Sequence, residues 1–443
     1  MTPLFKSLIR TILTMLKIAT KKCPKDKIAE ANMVRAELTP LEEIYTDGNG
    51  LVDKDHQKNL MALHADSLNK YQWILDALGL EPGEKRESHS PFTPPNGMWR
   101  QDKNKRSLYI EIDNKTKKTL VAKGIGNFDP TAQEREDNPF PIQISRWFIS
   151  SRLGFSYGLT FSCAKHIFNI AEAYRYECIV HGASANTLEP LALLKLKEIP
   201  VLIGNEMVVA VPVEKYISWQ INGIAKEDRL EYTKLLRDKG VCESTITKFF
   251  DSVKPVTGTV RRMFYNCLKS EMGIPESEFS GISECDFAIG NWRPSVILYI
   301  ADAANLRVNQ ASKEQILDAW HAKPGGETTA HCIQILNKFA KNMAQIAFFH
   351  KVGGDFGGID GELNERNVTV KGDIMDLESC SMPYVGPWRY GTQRYDVQEA
   401  EQTIHTFATK LKLNNKADEA ISLFRKHYKK NIKAKPNRPN QDL

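Results

Sequence analysis

Cysteine is present but unpatterned. Eight residues lie scattered from Cys23 to Cys380, with no CxxC pair and no histidine cluster at zinc spacing. That excludes a zinc framework and the dense disulfide scaffold of small secreted domains, and it fits reduced thiols in a cytoplasmic protein. Long hydrophobic runs are lacking too: no stretch reaches the roughly 18 uninterrupted apolar residues of a spanning helix. A strong charge excess is also missing. A net +6 over 443 residues is too mild for a dedicated nucleic-acid binder, and the basic residues crowded at the C-terminal end have no interleaved aromatics. No G-x-G-x-x-G loop precedes Lys123. What is there is ordinary globular composition, 42% hydrophobic and 26% charged, enough for a sizeable core and against wholesale disorder. The length suggests two or three lobes at ~100–200 residues each.

Met1 to Ala19 reads as a basic amphipathic helix. Lys6, Arg10 and Lys17 fall in one sector about 40° wide, and Phe5, Leu8, Ile9, Ile12 and Leu16 occupy the remainder. Such a helix docks on an anionic membrane surface or a partner protein, or packs on its own domain. The first option would make the protein cytoplasmic and peripheral at the inner face of the membrane. Asp47-Gly48-Asn49-Gly50 is a polar turn without calcium-loop spacing. Leu60 to Leu80 has helical periodicity, and Glu81 to Asn96, with four prolines, reads as a linker.

Beyond it the periodicity changes. Ser107 to Asp113 and Thr119 to Lys123 alternate as two strands around a polar turn. Ser162 to Tyr176 and Thr187 to Glu198 read as helices, the second with Pro190 in its first turn. Val201 to Val213 reads as a hairpin about Gly204-Asn205. From Lys215 to Leu413 the pattern is mostly helical, including Cys332 to His350. Seven Lys or Arg between Arg425 and Arg438 read as a frayed basic tail. The resulting division is 1–96 (helical extension and linker), 97–214 (small lobe with an insertion), 215–424 (helical lobe) and 425–443 (tail).

The exception within the helical half is Gly361 to Glu378. Asn367 to Val370 and Asp373 to Leu377 form a short hairpin through Lys371-Gly372, which brings Asn367 and Asp376 together. An amide oxygen and a carboxylate so placed suit Mg²⁺ bound to a polyphosphate, which takes one or two protein ligands and fills its shell from phosphate and water.

This segment resembles the metal-binding loop of the selenoprotein O family, protein-kinase-like enzymes that transfer AMP from ATP to protein hydroxyls. Gly361, Leu363, Asn364, Asn367, Thr369, Val370, Gly372 and Asp376 match that loop in register. Ala340, Ala344, Phe348 and His350 resemble the helix before it. Leu120-Val-Ala-Lys123-Gly124-Ile-Gly126 resembles the family's L-x-L-K-G-x-G strand, and Gly182 to Glu189 resembles the segment whose Glu pairs with that Lys. The resemblance covers islands between Leu120 and Glu378.

It implies an α+β, bilobal protein-kinase-like fold, with a small β-containing lobe, a large helical lobe and an N-terminal helical extension. It also implies ATP and Mg²⁺ as cofactors and a protein or peptide as substrate. Lys123, Gly124, Gly126 and Asn364 would bind nucleotide, Glu189 would orient Lys123, and Asn367 and Asp376 would hold the metal. Where the family has its catalytic Asp, this chain has Arg366, which stays protonated and cannot be a base. The expectation is that Asp355, Asp360 or Glu365 replaces it, or that no base is needed because transfer rests mostly on positioning and charge neutralisation, with Arg366 free to stabilise phosphate charge or to pair with Glu362, Glu365 or Asp360. The competing expectation is a kinase-fold subunit that has lost transfer and acts as scaffold or maturation partner in a bacterial, bacteriocin-like peptide-modification complex.

Overall fold

A computed structural model of the chain describes residues 34–45, 54–77, 88–90, 100–101, 107–113, 118–124, 159–203, 207–252, 264–266, 268–269, 275–303, 306–321, 328–358, 361–381 and 393–436. The expected N-terminal amphipathic helix, the Asp47–Gly50 turn, Gly126 and Asp360 lie outside them.

The architecture is α+β. The strands are β1 (Val34–Leu38), β2 (Ser88–Ser90), β3 (Arg100–Gln101), β4 (Ser107–Asp113), β5 (Lys118–Lys123), β6 (Leu159–Thr160), β7 (Glu189–Leu196), β8 (Glu198–Ile203), β9 (Met207–Pro212) and β10 (Pro294–Asp302). The helices are α1 (Leu41–Tyr45), α2 (Lys54–Ala77), α3 (Phe161–Val180), α4 (Val213–Asn222), α5 (Lys226–Asp238), α6 (Glu243–Ser252), α7 (Glu284–Asn291), α8 (Lys313–Ala319), α9 (Thr329–Met343), α10 (Ile346–Lys351), α11 (Gln393–Lys410) and α12 (Ala417–Lys433). The main sheet is antiparallel, in the order β2-β1-β7-β10-β5-β4-β3, with β6 also on β10. β8 and β9 form the separate hairpin expected about Gly204-Asn205. β1 and β2 come from residues before 97 and β10 from residues after 214, so three segments of the chain share one sheet.

β10 is the centre of the sheet. Its sequence, Pro-Ser-Val-Ile-Leu-Tyr-Ile-Ala-Asp, is an almost unbroken apolar run, the mark of a strand covered on both faces. Alternation along it separates two cores. Ile297, Tyr299 and Ala301 pack with α3, α9, α10 and the 356–380 loops. Val296, Leu298 and Ile300 pack with α4 to α7 and with Tyr71, Ile74 and Leu75 of α2. The same division runs through β5, where Val121 joins the first core and Leu120 and Ala122 the second.

Three sequence expectations need correction. Thr187 to Glu198 is not a helix: Glu189–Leu196 is a strand, buried at almost every position. Its leucines favour helix in isolation, but an apolar run covered on both faces gains more from ladder pairing between β1 and β10. Cys332 to His350 is not one helix, since α9 stops at Met343 and α10 begins at Ile346. The basic tail is not frayed up to Lys433. α12 carries it as helix, with Ala417, Ala420 and Phe424 buried.

Of the described cysteines, Cys163, Cys178, Cys332 and Cys380 are buried free thiols, whereas Cys242 is exposed. Among the described residues no helix is long and apolar enough to cross a membrane.

If the sheet is covered on both faces, truncation should be costly on either side. Ile297→Ala and Leu298→Ala, facing opposite cores, should each lower the unfolding free energy by about 2–5 kcal/mol, read as a fall in the urea midpoint. A change confined to one of the two would refute a double-sided core.

Candidate functional site

The site forms where the end of β5 meets the loop after α10. Gly361 sets the loop's path: a Cβ there would fall 2.5 Å from the Phe356 carbonyl and 2.6 Å from that of Gly358, so only glycine fits. Asn364 braces the next turn, its Nδ2 donating to the Gly361 carbonyl (2.6 Å) and its Oδ1 accepting from the Arg366 N–H (2.9 Å). Asn364 is therefore held by its own loop. Asn367 to Asp376 then fold as the expected hairpin in reduced form, with Val368 bridging Ile374 and the Met375 N–H donating to the Asn367 carbonyl (2.7 Å).

Two outside elements hold this hairpin. On one side, residues 306–309 run against it: Val370 N–H donates to the Leu306 carbonyl, Val308 N–H to that of Val368 and Asn309 N–H to that of Glu365, each at 3.0 Å. Arg307 Nη1 donates to the Arg366 carbonyl (2.6 Å). On the other side, Asn186 donates to the Gly372 carbonyl (3.0 Å) and accepts from the Tyr174 hydroxyl of α3. His166 of α3 hydrogen-bonds the Cys380 carbonyl through Nε2 (2.9 Å).

Across this junction the Lys123 ammonium donates directly to Asp376 Oδ1. The two residues stand 253 positions apart. Burial acts to lower the Lys123 pKa, but Asp376, Glu378 and Glu362 together raise it above the ordinary lysine value. Behind the pair lies Glu362. Its Oε1 accepts from the Ser379 N–H (2.9 Å) and from the Ser379 hydroxyl, and its Oε2 is 2.8 Å from Asn367 Nδ2. Burial, then the charge of Asp376, push its pKa up to about 8, opposed in part by Ser379 and Lys123. Burial beside Asp376 thus favours the protonated form of Glu362.

Lys123, Asn367 and Asp376 come together as the sequence suggests. Gly124 adjoins them at φ +94°, where an added Cβ would meet the Ser295 carbonyl at 2.8 Å. Glu189 does not orient Lys123. It sits at the start of β7, separated from β5 by β10, and binds Arg175 (3.2 Å), Ser67 (3.2 Å) and Tyr71 (3.1 Å), with Lys70 at 3.4 Å. Burial acts to raise its pKa, but Arg175 and Lys70 lead the charges that lower it overall. The expectation failed because the segment is a strand, not a helix.

Asp355 is not poised as a base either. It is buried, accepting from the Ser381 hydroxyl (2.6 Å) and the Gly357 N–H (3.0 Å). Arg366 is exposed beside Asn367, and the carboxylate of Glu362 is engaged by Asn367 and Ser379 and not by Arg366.

Glu362 is the group that sequence reasoning undervalued. The signal was spacing: it precedes Asn367 by five residues, the separation of base and metal-binding Asn in the D-x-x-x-x-N loop of protein kinases.

Among the described residues no three His, Cys, Asp or Glu side chains form a ready-made metal cage. A Mg²⁺–polyphosphate does not need one, because most of its ligands come from phosphate and water. The hard oxygen donors of Asn367 and Asp376 suit that ion. No family model, curated protein or solved structure matches the chain.

The Glu362 environment gives a pH signature. Its pKa is about 8 in the folded protein against an ordinary 4.5, so between those values the folded state binds the extra proton. Stability from this group is present at low pH and lost as pH rises through about 8. Glu362→Gln, which mimics the protonated acid, should flatten that part of the urea-midpoint profile between pH 5 and about 8. An unchanged slope would place the proton elsewhere.

Proposed function

We propose that the chain is an ATP·Mg²⁺-dependent transferase of bilobal, protein-kinase-like fold that modifies a hydroxyl of a protein or peptide. The observation carrying this reading is the meeting of Lys123 with Asp376, with Glu362 and Asn367 directly behind them. The strand order supports it. β3-β4-β5-β10-β7, with α3 joining β5 to β7 and β10 leading on to the helices before the loop, is the order of a kinase small lobe. In that arrangement the lysine strand lies between its hairpin partner and the strand that crosses to the large lobe.

Each group then has a role. Lys123, drawn off Asp376, neutralises phosphate oxygens. Asn367 and Asp376 would hold Mg²⁺, which when bound offsets the charge of the polyphosphate. Glu362 takes the proton of the attacking hydroxyl as its oxygen bonds to phosphorus, and the bond from that phosphorus to the bridging oxygen breaks. The leaving group is ADP or pyrophosphate, according to which phosphorus is attacked. A base works best with its pKa near the working pH, and compensation of the Asp376 charge removes part of what keeps Glu362 protonated. Arg366, exposed beside Asn367, can offer a bidentate fork to phosphate oxygens.

One observation favours the second reading, a kinase-fold scaffold in a peptide-modification complex. Lys123 donates directly to Asp376, so the lysine that would neutralise phosphate is already engaged by a carboxylate.

ATP labelled separately on the α- and γ-phosphates, incubated with Mg²⁺, the protein and a cell extract, tests both. A transferase should leave one label on an acceptor. Glu362→Gln should then lower transfer by about 10²–10⁴-fold with Mg-ATP affinity little changed by calorimetry, while Asp376→Ala should lose the affinity itself. Failure of wild-type protein to retain either label, with complementation unaffected by Glu362→Gln, would leave the scaffold.

A further inference from the structure

Away from the site, α12 presents a face of one charge. Lys426, Lys429, Lys430 and Lys433 recur at i, i+3, i+4 and i+7 and are all exposed, so they share one side of the helix. The opposite side is fixed in the core: Phe424 is fully buried, the Tyr428 hydroxyl bonds His350 (2.9 Å), and Asn431 donates to the Ala344 carbonyl (3.1 Å). Lys351 ties the helix end by donating to the Ala434 carbonyl. The lysine side is therefore held on a rigid support.

The patch extends to a second helix. α9 packs against α12 and adds exposed Lys338 and Lys341. His427 lies between them, and its pKa is lowered first by burial and then by Lys341, Lys430 and Lys426, which places these cations around one point. Counter-charge is scarce, since no Asp or Glu follows Glu419 in α12. Helix-dipole compensation accounts for cations in a last turn, such as Lys341, Lys430 and Lys433. It does not account for Lys338, Lys426 and Lys429.

The side-chain chemistry selects the partner. Arg425, the nearby guanidinium, is taken up by Glu401 through a two-point contact (2.6 and 2.7 Å). What remains is lysine, a mobile point charge without the planar fork that reads individual carboxylates or phosphates. The patch also lacks the interleaved aromatics that stack on single-stranded bases. A diffuse sheet of negative charge is the complement of such a face, each lysine adding a small increment to adsorption. The sequence of Met1 to Ala19 offers a second, amphipathic signal of the same kind, and stable peripheral binding takes two.

We propose that the lysine face of α12 and α9 seats this protein on an anionic phospholipid bilayer. The test is flotation of the full chain with vesicles of phosphatidylcholine alone or with about 30% phosphatidylglycerol, at about 0.1 M salt. Wild type should float only with the anionic vesicles and release in high salt. Lys426→Glu/Lys430→Glu/Lys433→Glu should weaken binding at least about tenfold. The milder Lys426→Gln/Lys430→Gln/Lys433→Gln should weaken it less, with both circular-dichroism melts unchanged. A Lys6→Glu/Arg10→Glu/Lys17→Glu variant should bind more weakly than wild type, and the α12 substitutions should remove the binding that remains. The proposal is overturned if wild type ignores anionic vesicles, if the α12 variants bind as wild type does, or if they lose retention on polyglutamate or duplex DNA while vesicle binding stays the same.

Discussion

The organisation of this protein rests on burying one strand from all sides. β10 is hydrogen-bonded along both edges and covered on both faces, so two ladders and two cores must be satisfied around it at once. β5 on one side of it ends in Lys123, and β7 on the other connects through Asn186 to the 367–376 hairpin. The chain leaving β10 runs directly into the segment that hydrogen-bonds residues 365–370. Several supports of the candidate site therefore pass through the placement of this strand, while α3 and α9 brace the loop directly through His166 and Asn342.

The site itself is an arrangement of excess negative charge around one cation. Glu362, Asp376 and Glu378 all act on Lys123. Three ionised carboxylates facing one partly buried ammonium would repel one another, and this repulsion together with burial favours protonation of Glu362. The same crowding keeps the surroundings of Lys123 acidic. Glu189 shows the contrast. Arg175 and Lys70 surround it, so its role is to hold α2 and α3 to the sheet.

Local signals in the sequence carried what depends on local chemistry. The alternation of Ser107 to Asp113 and Thr119 to Lys123, the paired strands on either side of Gly204-Asn205 and the Asn367–Asp376 hairpin all follow from side-chain period and turn residues, and all are present. Thr187 to Glu198 misled because leucine and lysine favour helix when only neighbours in sequence are considered. Nothing local reveals that both faces of the segment are covered. β10 was absorbed into a helical stretch for the same reason, since an apolar run without alternation has no period to read. Glu362 enters the sequence reading only as a partner for Arg366, because its burial against Asp376 and Ser379 has no local signal.

The Lys123–Asp376 contact also bears on how the molecule comes to exist. A junction between residues 253 positions apart is a long-range closure whose entropy must be met before its partners can reward it. On the ribosome the small-sheet strands emerge long before the loop that completes the site, and β5 has no central neighbour until β10 is made. Until β10 is made the chain carries a lysine strand with an open edge, the kind of surface that pairs promiscuously with other chains. Correct assembly thus depends on the two halves finding each other soon after the second is complete, and a chain ending between β5 and β10 has neither the sheet's centre nor the site.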